Sequence, residues 1–461
     1  MVKYFYLGAN IHQELLDVIC RSTDSIVLYE TENAGNVEEL IRSMEKNGKS
    51  YSIDKKNIDM FAHGSSLSTK DDRERIVRKV LNDYKVFLLR MRFLRVDFEG
   101  AFRAFEYFSD VVDFALNLAE RDQPETVFCS YTPHTVESWL VVRTFEELGA
   151  RVVRLITSPL PWILLPVEGL ENKSGCNLEA KLRTKRSGAV DRYLSILRGD
   201  YAAAMPYYEK LAKRLAIGRL LSAMAKWRPR DFAKYLERRA VQKEFERASS
   251  GGEVEGSYAV YFLHYQPEMN TLPEADLYCD QFQAVKKLVD ALPPGIQLLI
   301  KEHPSTFSKR CDRRWRPSGF YDRMLSLPNT SICPSHIDTF DLIDHSVFVA
   351  SIAGVCLTEA LARGIPAVSF YTPRFALFED GLVVDANLHT VSELRDLFAH
   401  MVEGAWTIDE NKLRASFDHL MANGYDGALD DTYLPQAAEQ SYANSRRANY
   451  LAIQDVLDGV L

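Results

Sequence analysis

Residues 296–304 read Ile-Gln-Leu-Leu-Ile-Lys-Glu-His-Pro, an apolar run that ends in charged and imidazole side chains. A short apolar run bounded by a turn residue is typical of a buried strand. Pro304 prevents the strand from continuing, because proline has no backbone N–H to donate. In open α/β sheets, ligands bind beyond the carboxyl ends of the strands. The stretch therefore predicts a buried strand that brings Lys301 and His303 to a ligand crevice.

Further strand candidates alternate with helical segments on both sides of this stretch. The strand candidates are Tyr4–Leu7, Ser25–Tyr29, Thr126–Ser130, Arg151–Ile156, Ala259–Leu263, Ser331–Cys333, Val347–Ala350 and Ala367–Phe370. Such alternation predicts parallel sheets. A chain of 461 residues exceeds the size at which a single core keeps growing. We therefore predict two domains.

The predicted fold is α/β, with two Rossmann-like parallel-sheet domains that face a central cleft, a helical insertion and C-terminal helices. The first domain is expected over residues 1–175, and the helical insertion and linker over 176–255. The second domain is expected over 256–430. A C-terminal helix over 431–461 is expected to pack back across the domains.

The loop after the strand candidate Ala259–Leu263 reads His264-Tyr265-Gln266-Pro267-Glu268. Gln266 can donate and accept hydrogen bonds, and Glu268 can accept them from a ribose or sugar hydroxyl. Alternatively, the proline-containing loop merely ends the strand, and its polar side chains are solvated.

In the Lys301-Glu302-His303-Pro304 loop, His303 could donate to a phosphate oxygen of a leaving nucleotide while Lys301 contributes positive charge. Charge-assisted donors stabilise the anion that forms when a glycosyl-phosphate bond breaks. A helix cap or a histidine buried in the core is the alternative for a single His-Pro pair.

A third loop, residues 350–354, reads Ala-Ser-Ile-Ala-Gly between a strand and a helix. Its small residues would let backbone N–H groups, near Gly354, and the Ser351 hydroxyl approach a phosphate. Glu359, four residues into the helix, could reach ribose hydroxyls. Tight strand-to-helix packing around the loop, and a surface position for Glu359, are the alternatives.

The combination of these three loops resembles the bacterial capsule and surface polysaccharide biosynthesis family. The further matching segments are Asp280-Gln281, Asp338-Thr339 and the stretch 358–370, Thr-Glu-Ala-Leu-Ala-Arg-Gly-Ile-Pro-Ala-Val-Ser-Phe. The family includes 3-deoxy-D-manno-octulosonate (Kdo) transferases and is more distantly similar to other GT-B glycosyltransferases with His-Pro motifs. The resemblance covers residues 258–371, and more weakly 124–157, where Tyr131-Thr132-Pro133-His134 is similar to an N-terminal "PH" loop.

The resemblance implies a GT-B-like fold of two domains. It also implies transfer of a sugar from a nucleotide-activated donor that the second domain holds. By matching position, His303 would bind the donor phosphate with help from Ser351. Gln266 and Glu268 would line the cleft, and Glu359 would approach the ribose. Where relatives have a Thr-Gly-Ser/Thr turn, this chain has Ile-Ala-Gly-Val at 352–355, so one hydroxyl is missing.

The resemblance also implies that the first domain holds the acceptor. His134 and Glu137 lie three residues apart at the start of a predicted helix, so both could point into the cleft. Either could act as general base toward an acceptor hydroxyl. Alternatively, His134 caps the helix and Glu137 supports its N-terminus.

The net charge of −8 argues against a general nucleic-acid binder. Two basic runs are interpreted mainly as solvated faces, and otherwise as contacts for a membrane-attached anionic acceptor. The runs are Lys181, Arg183, Lys185 and Arg186, and Arg310, Arg313, Arg314 and Arg316.

Seven scattered cysteines without a CxxC pair indicate a reducing cytoplasm. The apolar stretch 160–167 is too short to span a bilayer, so any membrane association, such as at the inner face of the cytoplasmic membrane, would be peripheral or through a partner.

The sequence-based hypothesis is a cytoplasmic glycosyltransferase that builds capsule or another surface glycan on a glycan or glycolipid acceptor. No cofactor is expected beyond the nucleotide-sugar substrate, for which a CMP-linked acidic sugar is one candidate. The ten histidines are dispersed and no HExxH motif occurs, so no metal site is expected. The alternatives are a nucleotide-sugar epimerase, which needs no acceptor, and a non-catalytic subunit of polysaccharide assembly.

Overall fold

A computed structural model describes a large part of the chain. The described residues are 4–8, 25–30, 50–55, 73–79, 98–170, 188–199, 229–250, 256–266, 268–307, 313, 315–427, 452 and 455. The basic run at 181–186 lies outside these residues, as does most of the C-terminal helix expected over 431–461.

The described residues contain thirteen strands. They are β1 (Tyr4–Gly8), β2 (Ser25–Glu30), β3 (Ser50–Lys55), β4 (Thr126–Cys129), β5 (Arg151–Thr157), β6 (Ile163–Glu168), β7 (Tyr258–Phe262), β8 (Gln297–Lys301), β9 (Thr330–Cys333), β10 (Val349–Ser351), β11 (Ala367–Ser369), β12 (Val383–Asp385) and β13 (Tyr425–Asp426).

Helices connect and cover these strands. They are α1 (Phe98–Asp122), α2 (Val136–Glu147), α3 (Ala189–Leu197), α4 (Pro229–Ser249), α5 (Gln281–Ala291), α6 (Phe320–Leu325), α7 (Thr339–Asp344), α8 (Val355–Ala362), α9 (Val391–Val402) and α10 (Glu410–Asn423). Three short 3₁₀ turns lie at Asp276–Cys279, Pro304–Phe307 and Pro373–Phe375. Residues 73–79 are also helical. None of the helices in the described ranges is both long and apolar enough to cross a membrane.

The first sheet has the strand order β13-β6-β5-β4-β1-β2-β3. Five of its strands, β1 to β5, are parallel, whereas β6 runs antiparallel to β5 and β13 antiparallel to β6. In β5 the five residues 152–156 are all buried. Four of these residues are apolar and the fifth is Arg154, and burial along the whole run is expected of a strand that is covered on both faces. Apolar side chains of α1 and α2 share a core with β4 and β5.

The second sheet has the order β12-β11-β10-β7-β8-β9, and all of its strands are parallel. Numbered within this domain, the order is 3-2-1-4-5-6 read from the β9 side, which is the Rossmann order. The order reverses between β7 and β10, so the loops after these two strands flank the crevice where such sheets bind ligands. The loops with His264 and Ser351 therefore occupy the topological switch point.

The carboxyl-terminal edges of the two sheets face each other. Thr132, which follows β4, donates through Oγ1 to Oε1 of Glu274 at 2.5 Å, and Glu274 follows β7. Arg374, which follows β11, donates through Nη2 to the carbonyl of Ser158 at 3.1 Å, and Ser158 follows β5. These contacts confirm the predicted fold of two Rossmann-like domains on either side of a cleft, the GT-B-like arrangement. The exact domain boundaries stay a prediction.

The predicted strands agree with the structure to within two residues, but four strands were missed. β3 has only two apolar residues, Tyr51 and Ile53, and β12 and β13 have only three and two residues in total. β6 was missed because its sequence contains Pro166, and proline usually argues against a strand. Helix α5 begins at Gln281, because Asp280 at its N-cap accepts a hydrogen bond from the backbone N–H of Phe282.

Gly424 is the point at which the chain returns from the second domain to pair β13 with β6. A Cβ built at this position would lie 2.2 Å from Cγ2 of Ile163 and 2.9 Å from the carbonyl oxygen of Leu420. Since backbone must shift to relieve this overlap, we expect Gly424→Ala to lower the free energy of unfolding by about 1–3 kcal/mol. Urea unfolding measures the change. The neighbouring Asn423→Ala should change the free energy by less than about 0.5 kcal/mol, and equal losses would contradict the packing argument.

Candidate functional site

His264 connects the first and third loops of the switch point. The backbone N–H of Ala353 donates to Nε2 of His264 at 3.1 Å, so Nε2 is unprotonated and Nδ1 carries the proton. Nδ1 then donates to Oε2 of Glu268 at 3.3 Å. The side chain of His264 is buried and joins the loops after β7 and β10. His264 belongs to the motif at residues 264–268, but its role in joining the loops was not predicted from the sequence.

Glu302 and Arg316 form a buried ion pair beneath the second loop. Nε of Arg316 donates to Oε2 of Glu302 at 2.6 Å, and Nη2 donates to Oε1 at 2.9 Å. Tyr321 and Thr306 donate to the same carboxylate at 2.8 and 3.0 Å. Burial raises the pKa of Glu302, but the charge and hydrogen bonds of Arg316 outweigh it and hold the pKa below its ordinary value. The pair is therefore ionised and fully hydrogen-bonded.

Arg316 also links the first loop to the second through hydrogen bonds. It donates to the carbonyl of His264 at 3.0 Å and to Oε1 of Gln266 at 3.4 Å. The expectation that Arg316 belongs to a solvated basic face was wrong, because only 1% of the residue is exposed. A signal was present in the sequence. Glu302 directly follows a buried strand, and a carboxylate in such a place needs a buried cation as its partner.

His303 is held with its donor nitrogen defined. The backbone N–H of Ser305 donates to Nδ1 of His303 at 3.2 Å, so a neutral ring carries its proton on Nε2. Burial lowers the pKa of the imidazole below its ordinary value of 6.5, with smaller opposing contributions from Glu268 and Glu302. The ring also lies 6.2 Å from that of Tyr265. At neutral pH, His303 is thus a neutral donor through Nε2–H.

The ammonium group of Lys301 is directed at the segment that connects β9 to α7, and it stabilises that segment. Its Nζ donates to the carbonyls of Pro334, Ser335 and Ile337 at 3.0, 3.4 and 2.8 Å. An ammonium group has three N–H donors, so these bonds use them all. Burial lowers the pKa of Lys301. The contacts give Lys301 a structural role, whereas its predicted contribution to phosphate binding stays a prediction.

Gln266 and Glu268 differ in their surroundings. Gln266 is buried, donates to the carbonyl of Cys279 at 2.8 Å and accepts from Gln281 at 2.9 Å. Its side chain thus holds the first loop in place. Glu268 retains 31% of its side-chain exposure while accepting from His264, so its carboxylate can still meet a ligand.

Ser351 and Gly354 pack tightly at the start of α8. Oγ of Ser351 donates to the carbonyl of Phe262 at 3.0 Å. A Cβ at Gly354 would lie 2.8 Å from Sγ of Cys356 and 2.9 Å from Oγ of Ser351, so a larger residue would displace these side chains. Gly354 is also the N-cap of α8 and has no side chain to cap it. The loop therefore shows the tight strand-to-helix packing that was the alternative to phosphate binding. No side chain caps the N-terminus of α8.

Glu359 lies inside α8 with 2% of its surface exposed, so the alternative of a surface helix position is wrong. Burial raises the pKa of its carboxyl from 4.5 to about 8, although the nearby charge of Arg363 lowers it in part. At neutral pH the group is mostly protonated. It can therefore donate as well as accept hydrogen bonds.

On the first domain, His134 and Glu137 lie at the start of α2, beyond the carboxyl end of β4. Thr135, not His134, caps the helix, through a reciprocal pair of hydrogen bonds with Ser138. Nδ1 of His134 donates to the carbonyl of Thr132 at 3.3 Å, which leaves the lone pair of a neutral ring on Nε2. Glu137 accepts a hydrogen bond from the hydroxyl of Tyr107 on α1.

Within the described part of the chain, no group of three or more His, Cys, Asp or Glu side chains is arranged to hold a metal ion. Arg313, from the second basic run, pairs with Glu244 of α4 at 2.5 Å. The predicted site residues of the second domain lie at the ends of β8 and β10, in the loops after β7, β8 and β10 or in α8, while His134 and Glu137 lie at the start of α2 in the first domain.

No protein-family model matches this chain, and a search of curated proteins finds no match. Among solved structures it is similar to UDP-GlcNAc 2-epimerase from Neisseria meningitidis, with 13% identity, 99% coverage of both chains and a TM-score of 0.22. It is similar to the KpsC beta Kdo 2,7 transferase of Thermosulfurimonas dismutans, with 13% identity, 74% and 88% coverage and a TM-score of 0.29. It is also similar to Anabaena HepE in complex with UDP-glucose, with 11% identity, 100% coverage of this chain, 99% coverage of that chain and a TM-score of 0.28. Similarities of this size establish neither a family nor an activity for the chain.

Removing one member of the Glu302–Arg316 pair should be strongly destabilising. Arg316→Met leaves a buried carboxylate without a cation, and we expect a loss of about 3–5 kcal/mol in the free energy of unfolding, measured in urea. The double variant Glu302→Gln/Arg316→Met should recover part of that loss. The exposed pair of Arg247 with Asp322 provides the control, since Arg247→Ala should cost less than about 1 kcal/mol. Equal losses for Arg316→Met and Arg247→Ala would contradict the role of the buried pair.

Glu359 predicts a pH dependence of stability. Because its pKa is about 8 in the folded protein and near 4.5 when unfolded, the folded state binds more protons between these values. Stability should therefore fall as pH rises through this window, by at most about 1.4 kcal/mol per pH unit from this group. Glu359→Gln should remove the decline, so the variant gains stability relative to the wild type from pH 5 to 8 in urea unfolding. Parallel curves for the two proteins would refute a raised pKa, and the exposed Glu403→Gln is the control.

Proposed function

We propose that the protein is a glycosyltransferase that transfers a sugar from a nucleotide-activated donor, held at the switch point of the second domain. The observation that carries the proposal is the hydrogen bond from the backbone N–H of Ser305 to Nδ1 of His303, which leaves the proton of the neutral ring on Nε2, in the loop after β8. Such a group can hydrogen-bond a phosphate oxygen without first releasing or gaining a proton. The proposal extends to a glycan or glycolipid acceptor in capsule or surface polysaccharide synthesis, on the basis of the motif resemblance.

Stabilisation of the leaving phosphate is the step that His303 would perform. Negative charge builds on the phosphate oxygen as the glycosyl bond breaks, and a preorganised donor aimed at that charge lowers the barrier. The ion pair of Glu302 with Arg316 keeps the loop rigid, because the backbone N–H of His303 also donates to Oε1 of Glu302 at 2.7 Å. The donor would then need no reorganisation during the reaction.

The sugar and ribose hydroxyls of the donor would meet the other polar groups of this edge. Glu268 is partly exposed and could accept from a hydroxyl. Glu359, mostly protonated at neutral pH, could both donate to and accept from a ribose diol if the start of α8 receives the nucleotide. Gln266, Lys301 and Ser351 would support the loops through their own internal hydrogen bonds.

On the acceptor side we propose His134 as the general base. Its Nδ1–H is directed to the carbonyl of Thr132, so in the neutral tautomer Nε2 carries the basic lone pair that a general base needs. The carboxylate of Glu137 already accepts from Tyr107, and we assign it the support of α2. Closure of the cleft would bring the acceptor hydroxyl to the donor and exclude water.

The proposal is tested first by nucleotide binding. Thermal unfolding with CMP, CDP, UDP and GDP should show stabilisation by the nucleotide of the donor, about 2.7 kcal/mol at a concentration of 100 Kd. With the corresponding nucleotide sugar, His303→Ala should lower turnover by about 10²–10³-fold while the protein stays folded. The exposed His345→Ala is the matched control and should keep full turnover.

Product analysis separates the candidate functions. A transferase moves the sugar to an acceptor and releases the nucleotide, whereas an epimerase converts the nucleotide sugar without any acceptor. Full turnover by His303→Ala would refute the role of His303, and a lack of stabilisation by every nucleotide would favour the non-catalytic subunit.

A further inference from the structure

Four arginines are buried among the described residues, and three of them contact carboxylates. These pairs are Arg143 with Glu146 at 2.6 Å, Arg154 with Glu274 at 3.5 Å and Arg316 with Glu302 at 2.6 Å. The fourth, Arg374, is 7% exposed and forms no ion pair with any residue that the structure describes. A buried guanidinium without a carboxylate is costly, because desolvation of the charge is not repaid by attraction to an anion.

Arg374 is hydrogen-bonded only to neutral groups in the described structure. Its Nη1 donates to the carbonyl of Ala353 at 2.5 Å, and its Nη2 donates to the carbonyl of Ser158 at 3.1 Å. Its Nε is buried and has no hydrogen-bond partner among the residues that the structure describes. A guanidinium has five N–H donors, so three remain for a ligand.

The surroundings of Arg374 add positive potential. Ala353 directly precedes Gly354, the uncapped N-terminus of α8, where the helix dipole and the free backbone N–H groups favour an anion. The carboxylates that could balance the charge are already in use or neutral. Glu274 accepts from Thr132 and pairs with Arg154, and the raised pKa of Glu359 keeps that group mostly protonated at neutral pH.

We propose that Arg374 and the N-terminus of α8 form a binding site for an oxyanion, either a phosphate or a carboxylate. The site follows from charge and hydrogen bonding alone. Its assignment to the phosphate or to an acidic sugar of the donor rests on the proposed function. The position of Arg374 between Ala353 and Ser158 places the anion where the two domains meet.

The test compares the wild type with Arg374→Met in thermal unfolding, with inorganic phosphate, pyrophosphate or pyruvate at constant ionic strength. The wild type should be stabilised by at least one of these anions, and the apparent affinity of Arg374→Met should be at least tenfold weaker. Without added anion, the variant should be as stable as the wild type or more stable, because the unpaired charge is gone. Arg395→Met, at an exposed arginine of the same domain, should respond as the wild type does.

Equal anion responses of Arg374→Met and the wild type would overturn the proposal. The proposal would also be overturned if Arg374→Met lost stability without anion but kept its anion response. Arg374 would then only stabilise the contact between the domains. Should Arg374→Met fail to fold, the Nε–H signal of Arg374 in protein labelled with ¹⁵N-arginine, assigned with Arg374→Lys, must move with phosphate or pyruvate. A signal that moves with neither overturns the site.

The same measurements separate this proposal from the proposed function. A response to phosphate but not pyruvate assigns the site to a phosphate, and the reverse assigns it to a carboxylate. If pyrophosphate stabilises the protein and no nucleotide does, the anion site stands and the nucleotide-sugar function fails. If a nucleotide stabilises the wild type and Arg374→Met equally, the function stands and the anion site fails.

Discussion

The buried ion pair between Glu302 and Arg316 is the interaction on which the rest of the candidate site depends. It lies below the loop that carries His303 and bonds the loop that carries His264 from the same guanidinium. Because both charges are buried and every bond to them is charge-assisted, a shift of either loop would leave a charge unsatisfied. The geometry of two of the three loops at the switch point is therefore set by one electrostatic contact.

Polar side chains at this edge of the sheet fall into two groups. Lys301 and Gln266 use their hydrogen-bonding groups within the protein, so they fix the backbone. His303, Glu359 and Arg374 have titration or hydrogen-bonding properties that suit a ligand. A buried polar group must be satisfied by the protein or by what it binds. Arg374, whose Nε has no hydrogen-bond partner among the described residues, therefore indicates a ligand more strongly than the first group does.

Hydrogen bonds and an ion pair also connect the two domains. Arg154 and Glu274 pair across the cleft with Thr132 hydrogen-bonded to both, and Arg374 reaches Ser158 from the other sheet. Burial raises the pKa of Glu274, although Arg154 opposes this effect. The described arrangement therefore places buried charged groups from both domains in one interface, next to the switch point and the start of α8.

The sequence by itself determined nine of the thirteen described strands and the loops that carry His264, His303 and Ser351, because apolar periodicity and prolines act locally. It could not determine that Arg316 is buried, since its partner Glu302 lies 14 residues away and only packing brings the two together. The tertiary structure also decided the strand order, the antiparallel β6 with its proline, and the unpaired charge of Arg374. Each of these depends on which segments meet in space, and charge pairing and strand pairing over long separations leave no local pattern.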